Sequence, residues 1–524
     1  RALALDALRG AAIMGMAISG AVPFDDMHLP QWMYHAQYII TKVGYDLTVP
    51  GFTWVDLVFP AFIFCMGASI PLALTGRIAR GVPVWKLILG AVGRMFALGF
   101  FAIFVHHITP WHFTGKEAIN QHFMWFLMLV GFGALFLLYT RLPEKVPPWM
   151  RWGAWSLGVV LAVVILVITN RWQFGVEPLG FWERVRRSLA FSNIILLVLS
   201  NLALWGALAW LLTRQNLALR LGVMALAWAL REAYVVPGGW VQVSWDFVVR
   251  DIWHIGAWEL WAGEDGAVGG LAAWLPDLPF DLTWLMRVEF IKYMLIIIPG
   301  TIAGEQLYGW MKSDRASSPE SAETRRANLQ AFTWLSIAAF LLVVFLHIGL
   351  QARWLGVTTF ITFAACAALW QWTRRWSSVD GRFLAGLVAW GGCWLVLGMV
   401  LEPYQGGIKK DSATYSYFFV TSGMSLFLLA SLTVWIDLLG LRRAFHLLIA
   451  NGQNPMIAYV GIRNIVGPVF SWPGIDDWVV RVLRPAEWLG GLRPWIRFIY
   501  AVMKTLFLAF FTALCTRLRI FWRT

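Results

Sequence analysis

Residues 31–60 read QWMYHAQYIITKVGYDLTVPGFTWVDLVFP: an aromatic segment with one imidazole, His35, then a carboxylate, Asp56, one turn into a long apolar run. An imidazole titrates near neutral pH, and a carboxylate beside it fixes its tautomer and strengthens it as a base. That pairing would serve general-base or nucleophilic chemistry. Thr53-Trp54-Val55-Asp56 is also a capping-box pattern, which alone would explain the aspartate. Both readings stand at this level.

Five further groups interrupt apolar sequence. Asp6 and Arg9 lie at i, i+3, on one helix face, as a structural ion pair or a ligand contact. His106-His107 point about 100° apart on a helix, so the pair does not face one metal easily. His107 is the candidate for a site wall and His106 the structural residue. Lys292 follows Glu289 at i, i+3, as a salt bridge or a site lysine. Gly406-Gly407-Ile408-Lys409-Lys410-Asp411 is a flexible, charged loop that could close over a substrate. Asn451-Gly452-Gln453-Asn454-Pro455 opens a helix, where amides and free N–H groups suit an anion or simply cap the chain. Arg94 is expected to be buried mid-span. No phosphate-binding loop, zinc-protease helix, nucleophile elbow or dinucleotide fingerprint stands in a credible setting.

The elements that must position these residues follow from composition. Of 524 residues, 59% are hydrophobic and 14% charged, with mean hydropathy +0.65. Soluble domains carry about 25% charge, so the expected class is an all-α, polytopic membrane bundle. Runs long enough to span occur at 5–22, 53–75, 87–106, 123–140, 153–170, 188–212, 217–236, 286–310, 331–350, 355–372, 383–401, 415–438, 447–470 and 496–516. Several are short or polar, so about 12–14 transmembrane helices are expected. Period-2 alternation is absent, against a β-barrel. The formal net charge of +13 reads as cytoplasmic loop lysine and arginine rather than nucleic-acid binding. With both termini cytoplasmic, Arg77, Arg80, Lys86, Arg325, Arg374, Arg442 and Arg517 fall inside, and the acidic loop 237–285 falls outside. Residues 171–187, with four arginines, disagree with that assignment. The four cysteines sit in apolar runs without metal-ligand spacing, so neither a disulfide framework nor a metal site is expected. The chain begins at Arg1, not Met, so upstream sequence is expected; no cleavable signal peptide is visible.

A polar stretch, Ser313–Thr324, divides the chain into halves 1–312 and 331–524 with a cytoplasmic linker at 313–330. No internal repeat is visible, which disfavours inverted-repeat transporters. The 34 tryptophans form an interfacial belt, and some could stack on sugar rings.

YHAQ at 34–37, GFTWVDLVFPAFIFCMGASIP at 51–71, LDALRGAAIMGM at 5–16, YMLIIIPGTIAGEQL at 293–307, GGIKKDSATYSYFFVTSGMS at 406–425 and NGQNPMIAY at 451–459 carry a resemblance. In order along nearly the whole chain, they resemble the heparan-α-glucosaminide N-acetyltransferase family, closest to a bacterial branch of unknown function. The resemblance implies acetyl transfer from cytoplasmic acetyl-CoA to an amino sugar across the membrane. His35-Ala36 matches the family's catalytic histidine and Asp56 its DLVFP aspartate. Gln37 to Pro50 intervene where the lysosomal enzymes pass almost directly to that helix, and Ser19 or Gly20 replaces a family asparagine. The acceptor side is therefore expected to be reshaped.

The resulting expectation is an inner-membrane acetyltransferase with its active-site loop facing the periplasm. His35 would be nucleophile or base and Asp56 its orienting partner. Trp32, His107, Lys292, Lys410 and Asp411 would line the acceptor site. Arg9, Asn451 and Asn454 would hold the acetyl-CoA phosphates. Membrane lipids are the expected surroundings, no metal or nucleic acid is expected, and a homodimer stays open. The rivals are a sugar or lipid-linked-precursor transporter without chemistry, an O-acetyltransferase of an exported glycan, and a structural subunit of a polysaccharide-export complex.

Overall fold

The computed structural model describes residues 2–22, 29–40, 44–109, 120–140, 146–173, 192–246, 287–313, 321–483 and 493–522. It is 81% helical, an all-α bundle. In chain order the helices are α1 (Leu3–Ser19), α2 (Trp54–Ala79), α3 (Val84–His107), α4 (Gln121–Tyr139), α5 (Pro148–Gln173), α6 (Ile194–Thr213), α7 (Leu217–Val235), α8 (Trp240–Asp246), α9 (Met294–Lys312), α10 (Ala322–Gln351), α11 (Leu355–Thr373), α12 (Val379–Val400), α13 (Tyr415–Leu432), α14 (His446–Gln453), α15 (Pro455–Gly461), α16 (Gly467–Ser471), α17 (Ile475–Leu483) and α18 (Arg493–Arg517). The one sheet among the described residues is a hairpin, β1 (Tyr38–Ile39) with β2 (Gly44–Tyr45).

Ten helices among the described residues are long and apolar enough to cross a membrane. The other four expected spans are 5–22, 217–236, 286–310 and 447–470, and each carries polar side chains. Helix α1 has only 17 residues and holds Asp6 and Arg9. Helix α7 holds Arg220, Arg231 and Glu232. Helix α9 starts late, because Val288–Tyr293 is a 3-10 turn. The segment 447–470 is not one span. Asn454 has φ −129° and ψ 53°, outside the helical region, which separates α14 from α15. Pro455 is the cause: it lacks an N–H and drives the preceding residue out of helical geometry.

The chain forms two compact units, and none of the five points at which the chain passes from one to the other lies in the linker 313–330. One unit comprises Arg1–Gly81, Leu295–Ile462 and Pro473–Phe521. The other comprises Val82–Met294, Arg463–Trp472 and Trp522–Thr524. Of the linker, 314–320 lie outside the described residues, as do 247–285 of the acidic loop and most of 171–187.

In the first unit, helix α13 is the axis: all but one of its residues are buried. It crosses α12 where Gly398 meets the Val420 backbone and Gly423 meets the Gly391 carbonyl, so the two backbones touch. Helices α2 and α9 approach in the same way. A Cβ at Gly67 would run into Ile297, and one at Gly300 or Gly304 into the backbone of Phe64 or Ala68. Helix α1 meets α14 through Gly10 and Gly452, where an added Cβ would strike the Leu448 or Asp6 carbonyl. Small residues at crossings are how membrane helices gain packing without a hydrophobic driving force.

In the second unit, α3 and α6 are tied by Ser200 Oγ donating to the Met95 carbonyl at 2.6 Å. Tyr139 of α4 donates to the Ala97 carbonyl at 2.7 Å. Arg94 of α3 is exposed, not buried as its apolar neighbours suggested. An apolar run does not separate a core face from a lipid-facing one, and Leu89 and Phe96 of the same helix are also exposed.

Candidate active site

Helix α2 begins at Trp54 with Thr53 as its cap. Asp56 stands three residues on, and its two oxygens divide two tasks. Oδ2 accepts the Thr53 N–H at 3.0 Å and the Ala36 N–H at 3.1 Å, with the Thr53 hydroxyl at 3.2 Å. Oδ1 faces His35 Nδ1 at 2.7 Å. The cap and the histidine partner are therefore one side chain. The Asp56 side chain is 3% exposed and the His35 side chain 19%, so the dyad is sheltered but reachable.

Four residues beyond Asp56, Pro60 has no N–H to give the Asp56 carbonyl. Tyr417 of α13 fills that role, its hydroxyl donating to Asp56 O at 2.9 Å. The proline, the tyrosine and the aspartate thus lock the start of α2 to the central helix.

The histidine loop rests on the bundle through its aromatic residues. Tyr34 and Tyr38 join Val22, Leu29 and Met33 in a buried cluster covered by Trp495 and Phe498 of α18. Gln31 donates to the Tyr38 carbonyl at 2.5 Å. The intervening stretch Gln37–Pro50 forms the β1–β2 hairpin, with Tyr38 opposite Tyr45, and then a turn in which Asp46 accepts the Thr48 N–H at 3.0 Å. Residues 41–43 lie outside the described residues.

The loop 401–414 covers the dyad. Its shape needs positive φ at Gln405 (60°), Gly406 (75°) and Gly407 (94°). Buried Glu402 braces it, pairing with Arg353 at 2.7 Å and accepting the Ile408 N–H at 3.2 Å. Gly51 N–H donates to the Ile408 carbonyl at 2.9 Å. Gln37, buried, clamps the backbone of Asp411: its Oε1 accepts the Asp411 N–H at 2.9 Å and its Nε2 donates to the Asp411 carbonyl. This fastening brings the Lys410 ammonium 3.2 Å from His35 Nε2 and 3.3 Å from Nδ1. Near-equal distances to both nitrogens put the ammonium over the ring face, because in the ring plane it would collide with Cε1.

Tyr45 lies beside this group, 6.1 Å from the His35 ring and 5.4 Å edge-on to Tyr38. Burial, then the negative charges of Asp411 and Asp56, raise its phenol above the ordinary tyrosine value. It is therefore a neutral hydrogen-bond donor across the physiological range. Tyr45 is 53% exposed and Trp32 51%.

The other expected site residues make contacts of their own. Asp6 and Arg9 pair at 3.4 Å, and Arg9 also donates to the Gly452 carbonyl at 3.0 Å and to Ser69. Gln453 donates to Asp6 Oδ2 at 3.3 Å. Asn451 is buried inside α14 and donates to the Leu447 and Ala509 carbonyls at 2.8 and 3.1 Å. Asn454 donates to the Ile520 carbonyl at 2.5 Å. The amides and guanidinium expected to hold a phosphate are thus engaged in tying α1, α2, α14 and α18 together. Ser69 is thirteen residues along α2 from Asp56, about 20 Å at 1.5 Å per residue, so this cluster lies well along that helix from the dyad. His107 and Lys292 belong to the second unit. His107 is buried with its ring 5.8 Å from His106, and Lys292 lies 5.6 Å over the Tyr293 ring. Glu289 pairs with Arg287 at 3.4 Å.

Gln37, Glu402, Arg353 and Tyr417 were missed as site-positioning residues. Gln37 carried a signal, being adjacent to the His-Ala pair. The other three act through contacts distant in sequence. Among the described residues, no group of three or more His, Cys, Asp or Glu could hold a metal ion.

Fold and spans define a multi-pass, all-α membrane protein. A family model described as a domain of unknown function, DUF5009, matches residues 1–258, just under half of the chain, including His35 and Asp56 but not the Lys410 loop. No curated protein matches the chain.

Proposed function

We propose that the chain is a transmembrane acetyltransferase, taking acetyl from cytoplasmic acetyl-CoA and passing it to a sugar on the periplasmic side of the bacterial inner membrane. The observation that carries the reading is the His35–Asp56 dyad with the Lys410 ammonium over its ring. Ionised Asp56 only accepts, so the proton between them sits on His35 Nδ1 and Nε2 keeps its lone pair. Nε2 then acts in one of two ways. It removes a proton from the acceptor amine or hydroxyl as that group attacks the thioester, or it attacks the thioester itself. In both, the carbonyl oxygen gains negative charge as the new bond forms, and the C–S bond breaks to release the CoA thiolate. The Lys410 ammonium offers positive charge to that oxygen.

Exposed aromatic faces at Trp32 and Tyr45 suit a sugar ring, and Asp411 offers a hydrogen-bond acceptor for its hydroxyls or amine. Both termini are placed in the cytoplasm by loop charge. The acetyl-CoA phosphates stay with inside cations such as Arg80, because the donors of Arg9, Asn451 and Asn454 are already engaged. The pantetheine arm then bridges toward the dyad. Transport of a sugar without chemistry is the second reading, and the break in the helix at Asn454–Pro455 favours it, since transporters use discontinuous helices.

The test is acetyl transfer from radiolabelled acetyl-CoA by the purified chain, offered glucosamine or periplasmic glycan fragments, beside His35→Ala. Transfer by the wild type and its loss in the variant supports the enzyme, and the alkali stability of the labelled product separates amide from ester. Absence of transfer with equal sugar binding by both proteins replaces it with transport.

A further inference from the structure

Lys410 is held beside the reacting nitrogen by more than its own side chain. Gln37 fixes the backbone of Asp411 on one side of it. Thr414 Oγ1 accepts the Lys409 N–H at 3.1 Å on the other, and the Lys409 carbonyl accepts the Thr414 N–H at 3.1 Å. The backbone on both sides of Lys410 is thus held, and its amine nitrogen stands 3.2 Å from Nε2. A carbonyl carbon bonded to Nε2 lies in the ring plane, so an amine above the ring face stands roughly 4 Å from it and faces the acyl plane, a small movement from a near-attack separation. Lysine nitrogen is a stronger nucleophile than a sugar hydroxyl once it has shed a proton, and an amide is more stable than a thioester or an acyl-imidazole.

We propose that Lys410 is a self-acetylation site, filled when acetyl-CoA is present and the sugar acceptor is not. The inference rests on the acetyltransferase reading above. The thioester C–S bond breaks and an amide C–N bond forms at Nζ. The ammonium gives up two protons: one leaves to solvent through the imidazole, and the other ends on the CoA thiolate. Ammonium and thioester thus become amide, thiol and one released proton, with no oxidant or reductant. The product loses the positive charge over the His35 ring, so the dyad loses the group that stabilises the carbonyl oxygen. A chain without acceptor switches itself off, and a sugar bound at the dyad protects it.

Lys409 supplies the internal control. It is half-buried like Lys410, but its Nζ lies toward Gly406, 3.5 Å from where a Cβ there would stand. The full chain in detergent is incubated with isotopically labelled acetyl-CoA, without acceptor, then digested and read by mass spectrometry. The expected result is one acetyl group on Lys410, on the order of tenfold or more above Lys409. It should be lost in His35→Ala and slowed by saturating glucosamine. Equal labelling of the two lysines, or labelling that survives His35→Ala, overturns the inference as plain solvent chemistry. Acetylated sugar with unlabelled Lys410 overturns the inference alone. No acetyl on either sugar or lysine overturns the acetyltransferase reading and this inference together. The Lys410 to Lys409 ratio needs no variant, so misfolding of His35→Ala does not remove the test.

Discussion

Asp56 does at the residue scale what two side chains usually share. Oδ2 closes the start of α2 and Oδ1 aims His35. In Asp56→Asn the amide oxygen still caps the helix. Its NH2 group then faces Nδ1 and forces the proton onto Nε2, the wrong tautomer for a base. Acetyl transfer should fall by about 10²–10⁴-fold, while the thermal midpoint in detergent moves little. Initial rates and unfolding curves on the same preparation check both halves. A parallel loss of fold and rate would show a cap and nothing more. Tyr417 makes a second residue-scale case. Tyr417→Phe strips the donor from the carbonyl that Pro60 leaves unpaired, at a cost of about 1–3 kcal/mol. Pro60→Ala returns an N–H within the helix, so the cost of Tyr417→Phe should shrink in the double variant. Unfolding free energies of the four proteins give the coupling, and strict additivity would refute the arrangement.

Among the elements, backbone contact between helices sets where the polar groups stand. Gly452 lies against the Asp6 carbonyl and Gly10 against Leu448. Gly452→Ala should cost about 1–3 kcal/mol by forcing α1 and α14 apart. Gly76→Ala, with nothing within 4 Å of its Cβ position, should be neutral or gain up to about 1 kcal/mol from helix propensity. Thermal midpoints in one detergent compare the two; equal behaviour would mean that the crossing at Gly452 is loose. The elements also explain why some of the site was readable. His35, Asp56 and Gln37 sit within 22 residues of one another, so a local pattern exposed the first two. Lys410 is 375 residues from His35 and joins it only because Glu402, Arg353 and Gln37 shape a loop through long-range bonds. The polar segment 451–455 matched a helix start in pattern, yet its amides face α18.

For the whole molecule, fourteen apolar segments were legible; each contains helix among the described residues, and ten helices there are long and apolar enough to span. Orientation is the prediction that belongs here. Trp32→Cys, in a chain with its own four cysteines replaced by serine, should react with a membrane-impermeant maleimide from the periplasm. A tag after Thr524 should be reached only once the membrane is opened. Labelling of both from the same side would reverse or break the assignment made from loop charge. The division into two compact units was not legible. It joins Arg1–Gly81 to Leu295–Ile462 across more than 200 residues of chain, whereas the polar linker suggested a cut in sequence order.

By itself the sequence determined the class, the helices and the cap at Asp56. Hydropathy is a sum over neighbouring residues, Pro455 breaks a helix by its own chemistry, and Thr53-Asp56 is a local cap. Tertiary structure alone decided that Asp56 caps and orients at once, that Tyr417 satisfies the carbonyl Pro60 abandons, and that Lys410 lies over the His35 ring. Each of those depends on where a distant backbone runs, and here that is fixed by glycine crossings and buried side-chain clamps whose partners no local pattern names.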